Sequence, residues 1–396
     1  MKTFRIFLTI LLCTMLAAGG SAQRRQIGEA RTILLRGKDF AKAEKMMTDL
    51  LKDTANQSNK RIYDIWLQAV EKQYAQLNEK MYMKQQVDTV RLFSLTQRLF
   101  TVGERLDSID MVPDKKGRVN LEYREGNAER LSAYRPNLFF GGAYYIRKQD
   151  FQKAYDLFEM YIDCDRQPLF EGYSLMTSDG RMGEAAYWAT YCGYRLEDPV
   201  RALRYASLAR RDTAKLESTL QYIAEARRKL NDDSLYRQAL WEGFRLNVHS
   251  PYFYPRLMDS YTAKGNYQMA DRVADEALRK DSLNELFLFA KANVQLNLQQ
   301  YAECLKYSER LIDLNPQAAD AYYNAGIACV NIAQRMDSRK YKKQIRRMYQ
   351  RGLPYMEAYR RLEPSKKDKW GPVLYRIYFN LNMGKQFEEI DKLLKR

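Results

Sequence analysis

Between residues 267 and 280 the apolar positions Ala270, Ala274, Ala277 and Leu278 step by three and four, the spacing of one buried stripe on a helix. Lys264-Gly265-Asn266 supplies a turn just before it. The register returns at a spacing of 34 residues: Met258, Ala292 and Gly326 fall in line, as do Tyr261, Gln295 and Cys329, and Ala270 with Cys304. With position 1 of the unit at Pro251, Glu285 and Ala319, position 8 holds Met258, Ala292 or Gly326, position 20 holds Ala270 or Cys304, and position 32 holds Ser282 or Pro316. Small residues at 8 and 20 let two antiparallel helices approach closely, Met258 being the exception, and a Pro or Ser at 32 ends the second helix. The unit is helix, turn, helix. A fixed period of this kind predicts an array of small units, each burying its apolar face against its neighbours.

This pattern resembles the tetratricopeptide repeat (TPR), whose signature is a small residue at 8, an aromatic near 11, Ala at 20, an aromatic or apolar residue at 24, Ala near 27 and Pro at 32. A second region matches it independently: with position 1 at Arg135, the residues Gly142, Tyr145, Ala154, Phe158 and Tyr161 occupy 8, 11, 20, 24 and 27. The stretch from Arg31 to Lys52 fits with Ala43 at 20 and Leu50-Leu51 at 27 and 28. Around Trp188, Tyr191, Tyr194, Ala202 and Ala206 the match survives with a turn one residue short, and Pro364 through Trp370 to Phe387 reads as one more degenerate pair. Departures occur, such as Gln295 in place of the aromatic at 11. The resemblance implies an all-α fold, a TPR-like solenoid of antiparallel helix pairs wound as a right-handed superhelix.

Two places break the rhythm. From Asn59 to Asp110 both helical patterns (Arg61, Trp66, Val70, Tyr74, Leu77, Met81, then Val90, Phe93, Gln97, Phe100, Leu106) outrun a repeat helix and predict a tall hairpin. Pro113-Asp114-Lys115-Lys116-Gly117 then reads as a loop, with helix resuming from about Val119 to Leu131. In the unit beginning at Ala319, position 20 shifts from residue 338 to Gly352, and Pro364 stands at 32. The 14 extra residues, about four helical turns, predict a second elongated hairpin. That extension is the most basic segment: Arg335, Arg339, Lys340, Lys342, Lys343, Arg346, Arg347 and Arg351 against Asp337 alone, with Tyr341 and Tyr349 interleaved. It reads either as a docking site for an anionic surface or as a solvated helix face. A loop containing Gln167-Pro168-Leu169-Phe170-Glu171-Gly172-Tyr173 is longer than a repeat connection needs, and its aromatics either grip a ligand or cap adjacent helices. The expected divisions are 1–22, 23–134 with the tall hairpin, 135–250 with central repeats, and 251–396 with C-terminal repeats and the basic hairpin.

The first residues change the picture from fold to compartment. Lys2 and Arg5 precede an apolar run from Ile6 to Ala18, then Gly19-Gly20-Ser21-Ala22, the form of a secretory leader cut after Ala22. The expected mature protein is exported, periplasmic or associated with the outer membrane. The formal charge of +17 drops to +15 without Lys2 and Arg5, a balance that favours anionic partners such as acidic glycans or membrane surfaces, while export disfavours nucleic acid. Four cysteines remain, Cys164, Cys192, Cys304 and Cys329, and positions 20 and 11 of the array suit the last two as free, buried packing residues rather than disulfide partners.

Catalytic chemistry is not visible. His249 stands without a second histidine, Gly141-Gly142 follows no strand and so is no phosphate loop, and the pairs Asp163/Asp165 and Asp232/Asp233 show no apolar setting to tune an acid. The chain reads as non-enzymatic, with no cofactor and no metal site. In TPR proteins the concave face is lined by positions 2, 5, 6, 9 and 13 of the first helices, which implies a partner-binding groove of Asp259, Phe289, Asn293, Asn297, Tyr323, Asn324 and Asn331. Asn side chains both donate and accept, which suits a peptide backbone or a sugar. Asn293 and Asn324 also match the clamp by which chaperone-binding members hold a C-terminal carboxylate, but Phe289, Asp368 and Pro372 replace its basic members. The expected function is an exported scaffold that binds a protein or peptide, the alternative a glycan-binding or anionic-surface-binding protein using aromatic and basic patches.

Overall fold

The computed structural model describes residues 23–395, so the expected leader at 1–22 lies outside the described residues. Those residues form helices and connecting turns, with no strand among them. They divide between Asp232 and Asp233 into two compact units. The boundary expected between 134 and 135 falls inside one helix, because Arg124 to Arg147 continues unbroken through Pro136.

In the first unit, α1 (23–36) and α2 (Phe40–Leu50) precede the tall hairpin of α3 (Lys60–Tyr82) and α4 (Thr89–Asp110), helices of 23 and 22 residues. Asn59 and Asp88 cap their N-termini by accepting from Arg61 and Arg91 amides. Helix α5 (Arg124–Arg147) starts five residues later than the expected Val119. It pairs with α6 (Phe151–Asp163), followed by the short α7 (Leu175–Ser178). Then come α8 (Met182–Arg195), α9 (Pro199–Arg204), α10 (Ala206–Ala209) and α11 (Leu216–Lys229).

The second unit runs α12 (Asp233–Leu246), α13 (Phe253–Thr262), α14 (Tyr267–Lys280), α15 (Glu285–Asn297), α16 (Tyr301–Leu314), α17 (Ala319–Arg335), α18 (Lys342–Leu362), α19 (Lys367–Leu381) and α20 (Gly384–Leu394). Each of these helices packs on the next. This is the expected array of helix pairs, with the repeat boundaries at the turns that the register marks. The small residues lie where the pairs close: Ala43, Ala154, Ala270 and Cys304 are fully buried. A Cβ on Gly326 would meet Met356 Sδ at 2.3 Å, and one on Gly142 would meet the Phe158 ring at 2.6 Å.

The turn inside each pair also obeys the register. Asn231, Gly265 and Gln299, spaced 34 apart, all take positive φ to reverse the chain. The next equivalent, Ala333, is instead helical and 2 % exposed. There the first helix does not turn, so α17 reaches 17 residues against 13 in α15, and α18 reaches 21 against 14 in α16. The second hairpin is therefore elongated as expected, and Gly352 occupies the shifted position 20, with Cys329 Cβ 3.0 Å from where its own Cβ would lie.

Candidate functional site

The first helices of the second unit form the continuous layer, because α15 touches α17 and α17 touches α19. That layer carries the residues expected to line a groove, but they are not a uniform polar row. Asp259 is exposed on α13, while Phe289 on α15 packs against the cluster of Leu288, Leu311 and Ala321. Asn297 gives its side-chain amide to the Asn293 carbonyl at 2.8 Å, and Asn331 gives its own to Ile327 at 3.0 Å. Both donors are thus spent within their own helices. Tyr323 lies 5.1 Å from the Tyr359 ring, with the Lys369 ammonium 5.5 Å from its face. Asn324 corrects the expectation outright: it is only 3 % exposed, and its Nδ2 has no partner. Close packing against Cys304, whose thiol approaches the Asn324 carbonyl at 3.8 Å, puts position 6 inside the helix pair rather than on an open face.

The basic hairpin presents its charge more openly. Arg339, Lys340, Lys342, Lys343, Arg346 and Arg347 are all exposed, and none makes an ion pair among the described residues. Asp337 accepts the backbone amides of Arg339 at 2.8 Å and Lys340 at 3.3 Å, so the one acid at the tip shapes the turn. The two flanking arginines are used structurally. Arg335 donates to the Gln299 carbonyl and lies 4.6 Å over the Tyr301 ring, and Arg351 pairs with Glu309 at 2.6 Å. Tyr349 is 4 % exposed in the core with Trp370, so only Tyr341 remains at the surface of the tip.

The aromatic loop before α8 turns inward. Leu169 and Phe170 are each 2 % exposed, with Phe170 6.2 Å from Phe100, leaving Tyr173 as its exposed ring. Packing, not display, also accounts for Tyr155, Tyr254 and Tyr359, which are among the largest fully buried side chains. Cys164, Cys192, Cys304 and Cys329 are free and buried, and burial pushes the Cys304 thiol up to about 11 and the other three up to about 12. These are poor nucleophiles.

The charged groups that the sequence left unremarked are structural links. Glu44 accepts from Trp66 Nε1 at 3.1 Å, Gln73 Nε2 at 2.7 Å and Arg98 at 2.6 Å, joining α2, α3 and α4. Arg135 donates to the Tyr161 carbonyl and to Asp179 at 2.6 Å. Lys291 sits between Asp271 at 2.7 Å and Asp275 at 2.6 Å, tying α15 to α14. The i,i+4 acids with a lysine 20 residues on were the available signal. Glu104 is the most perturbed carboxyl: burial, with the nearby Asp163 charge, pushes it up to about 7. His249 has Nδ1 3.9 Å from Asp281 and its ring against Phe287. No group of three or more His, Cys, Asp or Glu that could hold a metal occurs among the described residues. No helix of the described residues is long and apolar enough to cross a membrane.

No family model matches the chain, and no curated protein matches it. Among solved structures, similarity extends to the C-terminal part of a TPR repeat-containing protein from Cytophaga hutchinsonii, 14 % identical, covering 64 % of this chain and 93 % of that one at a TM-score of 0.41. MamA from Desulfovibrio magneticus is 16 % identical, covering 47 % and 97 % at 0.32. YrrB, a TPR protein with an unusual peptide-binding site, is 12 % identical, covering 49 % and 93 % at 0.34.

Proposed function

We infer that this chain is a non-catalytic scaffold of the cell envelope, exported through its N-terminal leader, that binds protein partners. The observation that carries this reading is the tip of the α17–α18 hairpin, where six exposed cations have no acid within ion-pair distance. A charge cluster held at the end of a projection acts over about one Debye length, ~8 Å at physiological salt, and raises encounter rates with anionic partners. Non-catalysis is supported by how the carboxylates are used: Glu44, Asp179 and Asp271 all hold buried or half-buried cations and donors in place. The glycan alternative has less behind it, because the tyrosine faces that would stack on sugars are packed in the core or covered by cations.

The test is crosslinking in the native envelope, comparing the wild type with a K342E/K343E/R346E/R347E chain. Specific protein adducts are expected with the wild type, reduced several-fold in the variant and weakened by salt. Adducts that are the same for both chains would remove the hairpin from the reading, and the absence of any reproducible adduct would sink the scaffold. Export is checked separately by N-terminal sequencing of the mature chain, expected to begin at Gln23. A chain that retains Met1 in the cytoplasmic fraction would contradict it.

A further inference from the structure

The second helices of the C-terminal unit behave differently from the first. The first helices touch across repeats, but α14 makes no comparable contact with α12 or α16. Successive second helices therefore splay and leave clefts. The cleft between α12 and α14 has a volume of about 680 Å³, and the one between α14 and α16 about 500 Å³. Both are lined by Arg272 and Arg279, so the two clefts meet along the ridge of α14.

Five guanidiniums face this surface: Arg237 and Arg245 from α12, Arg272 and Arg279 from α14, and Arg310 from α16. Arg245 and Arg279 hold the same register position, 34 residues apart. The carboxylates present are already engaged. Glu276 accepts from Arg245 at 3.2 Å, Asp275 is held by the buried Lys291 at 2.6 Å, and Asp233, near Arg237, is taken by Lys264. Arg272 and Arg279 are exposed and make no ion pair among the described residues. Arg310 has only the Ser282 carbonyl, at 2.9 Å.

The aromatic walls orient these arginines. The Arg245 guanidinium lies 4.8 Å over Trp241, whose Nε1 donates to the Tyr261 hydroxyl at 3.0 Å. Arg237 lies 5.9 Å over Tyr261, and Arg310 lies 5.9 Å over Tyr307. Rings covered in this way are not free to stack on sugars or bases. They hold planar forks outward, which is the geometry for bidentate recognition of carboxylates. Met269 and Leu278 supply apolar floor between the charges. We propose that this double cleft on the second-helix face is a docking site for an acidic polypeptide segment, its Asp and Glu side chains gripped by Arg272 and Arg279 and its apolar side chains set into the clefts.

The site rests on the scaffold reading but is separate from the basic hairpin, and the test keeps the two apart. The probe is a fluorescein-labelled twelve-residue peptide alternating Glu with Leu, titrated by anisotropy against the full chain. R272E/R279E is expected to weaken binding by on the order of tenfold or more, with an unchanged melting curve, since both side chains are exposed. R272K/R279K, which keeps the charge and loses the fork, is expected to fall between. The hairpin variant K342E/K343E/R346E/R347E is expected to change binding less than about twofold, because its charges lie on a different hairpin. Equal losses from the hairpin and cleft variants would reduce the effect to bulk charge and overturn the proposal. So would cleft-dependent binding of a heparin oligosaccharide or a short oligophosphate that is tighter than that of the peptide. If the peptide fails to bind while envelope crosslinking persists, the cleft is wrong and the scaffold stands; loss of both removes the scaffold itself.

Discussion

At the scale of single residues, glycine and buried acid positions carry the sharpest consequences. A Cβ on Gly193 would lie 2.2 Å from the Ala202 amide nitrogen, and backbone cannot swing aside as a side-chain tip can. Gly193→Ala is therefore expected to destabilise the first unit by more than about 2 kcal/mol. Gly126, in the first turn of α5 with nothing within 4 Å of its would-be Cβ, is the contrast. Gly126→Ala is expected to be neutral or stabilising by up to about 1 kcal/mol. Urea unfolding of the two variants decides this, and equal effects would contradict the close approach of α8 and α9. Glu104 is the second case. Its folded pKa of about 7 lies above the ordinary carboxyl value, so the fold prefers the neutral acid. The sign follows: the group's stabilising effect is complete at low pH and is lost as pH rises from about 4.5 to about 7. Wild type should gain on the order of 2 kcal/mol relative to Glu104→Gln on going from pH 8 to pH 5. Parallel stability–pH curves for the two proteins would show that Glu104 is solvated.

At the scale of elements, polar links join helices that apolar stripes alone would let slide. Lys291 is 5 % exposed at its side chain and bridges two acids one turn apart on α14. Burial opposes its charge, but the bonds to Asp271 and Asp275 outweigh this and hold its pKa above that of an ordinary lysine. Lys291→Met leaves those acids facing each other without a cation. A loss of about 2 kcal/mol is expected, discounted from the fully buried case because Asp275 is half exposed. Thermal unfolding in low and high salt is the measurement, and a variant as stable as wild type would mean that the link is incidental. The elongated hairpin belongs to this scale as well. The 34-residue ruler located it, and the structure supplies the cause, an Ala333 that stays helical and buried where its equivalents reverse the chain.

At the scale of the molecule, each unit is a chain of nearest-neighbour interfaces, so stability is expected to be graded along it. Helix α20 buries only Ile390, while α15 and α16 are covered on both sides by their neighbours. Hydrogen exchange should therefore show α20 amides opening at least about tenfold faster than those of α15 and α16, through partial rather than global unfolding. Uniform protection through the second unit would argue for one cooperative block instead.

The sequence by itself determined the helix pairs, their spacing, the two elongated hairpins and the burial of the cysteines, because periodicity and small-residue positions are local statements about one helix against the next. It placed Arg339 to Arg347 at an exposed tip for the same reason: an inserted segment with no apolar stripe has nothing to pack on. Only the tertiary structure decided what the side chains face. Register assigned Asn324 to a groove, yet the approach of α16 enclosed it; loop composition left Phe170 open to display, yet α4 and α5 absorbed it. The converse is the second-helix face, where Arg245 and Arg279 sit in plain register. What makes them a site is the gap between α12, α14 and α16 and the rings beneath the guanidiniums, and a gap is a relation between helices that a residue pattern does not contain.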